Sequence, residues 1–99
     1  MSAITEVNID FIKPRDGLIG FASITFDNKL FLGCIGIHKK LTGGYRITYP
    51  TKSERHLYHP ISNELGRDIE NAIFEKLKDV MKKLNDDRYD SLNNARAEL

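Results

Sequence analysis

Apolar and polar residues alternate along the first part of the chain and follow a helical period along the last part. In residues 3–58 the period is close to two; Val7, Ile9 and Phe11, for example, alternate with polar neighbours. That spacing is typical of strands with one buried and one solvated face. From Ser62 onward, apolar residues recur every three or four positions. This period predicts one long helix with a single apolar stripe.

Turn-forming residues divide the first part of the chain into four or five predicted strands. Turns are indicated at Asp16-Gly17, at Asp27-Asn28-Lys29 and at Gly43-Gly44, where Asp, Asn and Gly tolerate left-handed backbone geometry. The predicted strands are the one containing residues 7–11, then residues 18–26, 30–38 and 45–49, and a short fifth strand at residues 55–58.

The third predicted strand is almost wholly apolar, so we expect it to be central and covered on both faces. Gly33 and Gly36 indicate a bulge or the close approach of another backbone. Cys34 lies between them and is predicted to pack as a small apolar side chain.

The predicted helix begins after Ser62, which is a suitable N-cap residue. Gly66 weakens its first turns by about 1 kcal/mol relative to alanine. The apolar stripe continues to Leu84, so residues 1–84 are expected to form a single domain. Residues 85–99 are predicted to be a polar, acidic tail that could form a short helix.

The order of these elements predicts an α+β fold, an antiparallel four- to five-stranded meander followed by one long C-terminal helix. A single helix leaves part of such a sheet uncovered, including at least one edge. Exposed edges pair readily with other chains, so we expect a homodimer.

Composition limits where the protein acts. The chain has 99 residues, 40% of them hydrophobic and 29% charged, which suits one folded, soluble domain. Its single cysteine excludes an internal disulfide and fits a reducing compartment. The sequence contains neither a signal-peptide pattern nor an apolar run long enough for a bilayer. We therefore expect a cytoplasmic protein with no membrane partner.

The near-neutral net charge of +1 hides a local imbalance. Residues 38–59 contain five basic residues and one acidic residue, together with all three histidines. Such a segment can attract a polyanion such as DNA or RNA. The alternative is a solvated hairpin rim with no ligand.

Motifs for catalysis and for cofactors are absent from the sequence. Gly43-Gly44 precedes a predicted strand and is therefore interpreted as a hairpin turn, not a phosphate loop, which would open a helix. His56 and His59 could bind a metal with Cys34 or His38, but no cysteine pair or acidic residue stands at ligand spacing. We expect no catalytic residue, no metal and no cofactor. For His59, which precedes Pro60, the preferred interpretation is a ring that braces the helix start.

Three tyrosines, at positions 45, 49 and 58, are interleaved with basic residues. Aromatic and basic residues together are used by proteins that bind single-stranded nucleic acids. However, alternation in the fourth strand puts Tyr45 and Tyr49 on one face and Arg46 on the other. Packing is therefore favoured for the tyrosines and exposure for Arg46.

Several short segments occur in an order that is similar to a known family. They are Ile4-Thr5-Glu6-Val7, Asp16-Gly17, residues 22–27, residues 44–52 with Pro50-Thr51-Lys52 at their end, His59-Pro60-Ile61, Asp68-Ile69 and Ala72-Ile73. In this order and spacing, residues 3–80 resemble the stage V sporulation protein G family (SpoVG, the septation regulators).

The resemblance implies a dimeric, non-enzymatic regulator that binds DNA and, in some members, RNA, with roles in gene expression, sporulation or septation. It also implies that basic residues near the last strands and the helix start make the contacts. Lys52 matches a family lysine, while the segment between Lys52 and His59 is shorter than in the family. Where the family often has a basic residue early in the helix, this chain has Gly66, and Arg67 follows one position later. With the charge imbalance, the resemblance predicts a nucleic-acid-binding set consisting of Lys39, Lys40, Arg46, Lys52, Arg55 and Arg67.

Two other functions fit the sequence less well. A protein-interaction module would use the open sheet edge to bind cell-division or regulatory partners. A small metal- or histidine-dependent enzyme is the least favoured, because only the histidines suggest it.

Overall fold

The chain folds into antiparallel strands followed by one long helix, as the α+β prediction requires. The structure is a computed structural model that describes residues 3–98, with the side chains of residues 3–84. Its elements are β1 (Ile4–Arg15), β2 (Leu18–Phe26), β3 (Leu30–Lys39), β4 (Tyr45–Thr48), β5 (Thr51–Lys52), β6 (Arg55–His56) and α1 (Asn63–Glu98).

The first four strands form one sheet in chain order, β1-β2-β3-β4, with antiparallel pairing throughout. Each of its three turns contains a pair of residues with positive φ. They are Asp16 (51°) with Gly17 (90°), Asp27 (47°) with Asn28 (56°), and Gly43 (99°) with Gly44 (79°). At the first two turns such pairs make tight hairpins whose twist matches that of the flanking strands. The meander and its three predicted turns are confirmed.

Helix α1 covers one face of the sheet and closes the hydrophobic core. The side chains of Ile24, Ile35, Ile37, Ile73 and Leu77 are at most 1% exposed. Each contributes about 1.5–3 kcal/mol by leaving water. The sheet residues of this core come from alternate positions of β2 and β3, and the helix residues come from the predicted stripe.

The helix start has the predicted cap. The N–H of Leu65 donates to Ser62 Oγ at 3.0 Å, and the N–H of Gly66 donates to the Ser62 carbonyl at 3.1 Å. These bonds satisfy donors that a helix cannot satisfy within its first turn. The helix does not end at Leu84 but continues to Glu98. The prediction of an acidic tail concerns residues 85–99, whose side chains lie outside the described residues.

Strand β3 differs from its prediction in two ways. Its neighbours in β2 show that an extra residue lies between Leu32 and Ile35, so Gly33 and Cys34 form a bulge. The bulge itself is as predicted, but Cys34 has a φ of 61° and is exposed, so its predicted packing as a core residue is wrong. Phe31 is 63% exposed, so the expectation that β3 is covered on both faces is also wrong. The reason is that the one helix packs on one face only.

The predicted fifth strand does not join the main sheet. β6 pairs instead with β5 in a separate two-stranded sheet, and it ends at His56. Ser53 and Glu54 form its turn with φ values of 53° and 67°. Pro50 has no N–H to donate to a ladder, so pairing of β4 ends at Thr48 and a new hairpin begins after it.

Within the described residues, α1 lacks the long apolar stretch that a membrane-crossing helix needs.

Candidate nucleic-acid interface

The sheet has a second face that α1 does not cover. Residues paired across strands share a face, so the register identifies its members. We call this surface the open face; it contains Glu6, Asn8, Asp10, Leu18, Phe21, Ser23, Thr25, Phe31, Gly36, His38, Arg46 and Thr48.

Two phenylalanines are exposed on the open face. Phe21 in β2 is 39% exposed and Phe31 in β3 is 63% exposed. The Phe31 ring lies against Gly33, where an added Cβ would come within 2.9 Å of the ring. Gly33 thus provides the space that holds this ring against the sheet while its other side meets solvent.

The tyrosines occupy the opposite side and are held by packing. Tyr45, Tyr49 and Tyr58 are half-buried against the hydrophobic core. The rings of Tyr49 and Tyr58 meet edge to face at 6.0 Å. This agrees with the packing that alternation favours for Tyr45 and Tyr49.

Arg46 and His38 are cross-strand partners at the β4 side of the open face. His38 Nε2 and Thr48 Oγ1 lie 3.0 Å apart, in a hydrogen bond. Gly36 lies between them, since an added Cβ would come within 2.6 Å of Thr48 Oγ1. Burial, and secondarily the Arg46 charge, lower the pKa of His38. The neutral ring is therefore favoured, and the positive charge at this end of the face comes from Arg46.

The structure divides the six predicted basic residues between separate places. Lys39 and Lys40 lie at the β3–β4 turn, but Lys39 pairs with Tyr45 and lines a cavity on the helix side, away from Arg46. Lys52 and Arg55 are cross-strand partners in the β5–β6 hairpin. Arg67 lies early in α1, beside Pro60. The open face therefore holds Arg46 alone of the six.

None of these six cations is neutralised by an ion pair within the described side chains. The ion pair found there joins Lys29 to Asp27 at 3.5 Å, in the β2–β3 turn. All six basic residues are exposed. Each therefore keeps its charge available for an anionic ligand.

His56 and His59 lie near each other at the end of the second hairpin. Their ring centroids are 5.2 Å apart, and His59 Nδ1 is 3.1 Å from the Pro60 carbonyl oxygen. Across residues 3–84, no group of three or more His, Cys, Asp or Glu side chains could hold a metal ion. The contact with Pro60 agrees with a bracing role for His59 before the helix.

Sequence reasoning missed Phe21 and Phe31 as candidate binding residues. The signal for Phe21 was present, because the alternation that buries Ala22 and Ile24 puts Phe21 on the solvated side of β2. Phe31 gave no such signal, since β3 is apolar at nearly every position.

No model of a known protein family matches the sequence, and no curated protein matches it either. The resemblance to the stage V sporulation protein G family therefore stays a prediction.

Proposed function

We propose that this protein is a non-enzymatic regulator that binds DNA or RNA through a basic strand–loop–helix surface. The observation that carries the proposal is the set of exposed cations without carboxylate partners among the described side chains. Lys52 and Arg55 on the β5–β6 hairpin form its centre, because their cross-strand pairing puts two cations side by side.

Phosphate contacts of this kind have a measurable signature. Each phosphate that a cation neutralises releases counterions, so the logarithm of the binding constant falls with the logarithm of salt by about 0.7–0.9 per contact. A binding surface made of Lys52 and Arg55 therefore predicts affinity that falls steeply as salt rises.

The test is fluorescence anisotropy with labelled DNA and RNA between about 50 and 200 mM salt. Replacing Lys52 and Arg55 together by alanine should weaken binding and reduce the salt slope by about 2. Lys29→Ala is the matched control, because this exposed lysine already pairs with Asp27 and should leave the slope unchanged. Absence of binding, or an unchanged slope in the double variant, would overturn the proposal.

The regulatory part of the proposal, in gene expression, sporulation or septation, rests on the resemblance to the septation regulators. In this proposal the protein acts in the cytoplasm and needs no cofactor. Crosslinking in cells followed by sequencing of the bound nucleic acid tests it. Recovery of discrete targets would support regulation, and recovery in proportion to total nucleic acid would contradict it.

A second candidate function is the binding of a protein partner at the edge of the sheet. It is supported by β1, an edge strand of 12 residues. An edge strand of this length can add a strand from another chain. The partner would be a regulatory or cell-division protein, or a second copy in the proposed homodimer. Light scattering measures the copy number, and capture that survives nuclease and high salt would favour a protein partner over a nucleic acid.

A further inference from the structure

We propose that the open face binds single-stranded nucleic acid by stacking unpaired bases on Phe21 and Phe31. This deepens the proposed function and rests on it, since it names the form of nucleic acid that the protein takes. The starting observation is that both rings are exposed on a sheet face that α1 leaves uncovered.

Exposed aromatic rings on a sheet are unfavourable in water, and nucleic-acid bases can cover them by stacking. Stacking of a base on an aromatic side chain is sequence-tolerant, because every base has a π-face. Four-stranded sheets with aromatic residues on adjacent strands bind unpaired RNA bases in this way. Phe21 and Phe31 lie on the adjacent central strands β2 and β3.

The spacing of the two rings favours a strand that is extended across the sheet. Phe31 pairs with Thr25, which is four residues from Phe21 along β2. The two Cα atoms are thus roughly 14 Å apart. Bases stacked on one another in a strand are about 3.4 Å apart. The rings would therefore take two bases that are not neighbours in a stack, which a paired duplex cannot supply.

Charge on the open face determines where the phosphates run. Glu6 and Asp10 lie on β1 and repel a phosphate backbone at that side. Arg46 lies on β4 at the other side and is exposed. A strand that stacks on Phe31 and Phe21 would therefore pass over β3 and β2 toward Arg46.

The Phe31 ring is already positioned for stacking. It rests against Gly33, where a Cβ would come within 2.9 Å of the ring. A ring held this way has less freedom to lose when a base stacks on it, and such preorganisation favours binding.

The absence of tryptophan from the chain provides a direct test. Phe31→Trp puts a single fluorophore on the open face. Leu30→Trp is the matched control, because Leu30 is the preceding residue, is 54% exposed and points to the helix side. The probes are unstructured DNA and RNA strands of about 16 nucleotides, and the duplex of the same length.

We expect single strands to quench the indole fluorescence of Phe31→Trp strongly, with little effect of duplex and little effect on the Leu30→Trp control. Quenching by either DNA or RNA supports the inference. The strand that binds more tightly shows whether the protein prefers deoxyribose or ribose. Replacing Phe21 and Phe31 together by leucine should weaken single-strand binding by roughly tenfold or more, and duplex binding much less. Circular dichroism checks that the leucine variant folds, and the fluorescence of Phe31→Trp decides the question if it does not.

Three outcomes would overturn the inference, and each is distinguishable. In the first outcome, duplex and single strands bind equally, Phe31→Trp shows no quenching, and the Lys52/Arg55 double variant still binds more weakly. This would exclude the stacking site but not the proposed function. A fluorescence change in Phe31→Trp that depends on protein concentration alone would assign the open face to a second copy of the chain. Binding to none of the probes would remove both proposals.

Discussion

Tyr58 donates a hydrogen bond from its phenolic hydroxyl to the carbonyl oxygen of Gly33, over 2.6 Å. The two residues are 25 positions apart, so this bond ties the segment after β6 to the bulge of β3. A bulge leaves its extra residue outside the regular ladder. The tyrosine thus supplies a partner for a backbone group at the place where β3 is irregular.

Removing this hydroxyl should destabilise the protein. Tyr58→Phe keeps the ring against Tyr49 but leaves the partly buried Gly33 carbonyl without this donor. We expect a loss of about 1–3 kcal/mol in the free energy of unfolding, measured with urea. Tyr45→Phe is the control, because no hydrogen bond of its hydroxyl is found among the described residues. It should change stability by less than about 0.5 kcal/mol. Equal losses in both variants would contradict the assigned role of the bond.

The same tyrosine should make the fold sensitive to alkali. Burial, followed by the nearby Cys34 and Tyr49, raises the pKa of Tyr58 to about 12. A group whose pKa is higher in the folded state stabilises the fold below its unfolded pKa of 10, and this stabilisation is lost as pH rises toward 12. Stability measured between these values should fall, and it should fall less in Tyr58→Phe. A parallel fall in both proteins would exclude Tyr58 as the cause.

His38 should have the opposite pH dependence, on the acid side. Its pKa is lowered below 6.5 by burial and by Arg46. The unfolded chain therefore binds the proton more readily, so the stabilisation is complete above pH 6.5 and is lost as pH falls below it. We expect the free energy of unfolding to decrease on acidification below pH 6.5, and His38→Gln to reduce that decrease. His56→Gln is the control: it leaves His38 intact, so the full decrease in stability on acidification should remain.

Gly36 should not tolerate a side chain. The Cβ of Gly36→Ala would lie within 2.6 Å of Thr48 Oγ1 and 3.2 Å of His38 Nε2, so their hydrogen bond would have to break or shift. We expect destabilisation of about 1–3 kcal/mol. Thr48→Ala removes the clashing oxygen, so the double variant should cost less than the sum of the two single variants. Additive costs would mean that Thr48 is not the obstacle.

Gly66 offers a substitution in the stabilising direction. A Cβ there would meet the Pro60 Cγ at 3.7 Å, which is ordinary van der Waals contact. Alanine within a helix is favoured over glycine by about 1 kcal/mol, so Gly66→Ala should raise the melting temperature. Gly20→Ala is the contrasting control, because its Cβ would come within 2.5 Å of the Asp10 carbonyl oxygen and should destabilise the fold. A loss of stability in Gly66→Ala would contradict the unstrained contact with Pro60 at the helix start.

Local patterns were enough to predict most of the fold. Alternation in β2, the Asp-Asn turn at Asp27 and the N-cap at Ser62 depend on neighbours within a few residues, so they can be read without knowing the rest of the chain. The order of the strands followed from the short turns, because a short turn forces adjacent strands to pair.

Features that join distant residues depended on the tertiary structure. The exposure of Phe31 depends on which face α1 covers, and the sequence of a strand that is apolar at nearly every position does not indicate which face that is. Lys39 and Arg46 are near in sequence, yet strand alternation and the position of the helix put them on opposite sides of the sheet. The hydrogen bond from Tyr58 to Gly33 also required the folded chain, since its geometry depends on the β3 bulge and on the path of the second hairpin. Which elements form depends on local propensity and period, and these are properties of the amino-acid sequence alone. Which side chains face solvent together depends on where the single helix packs, and this is settled only in the folded chain.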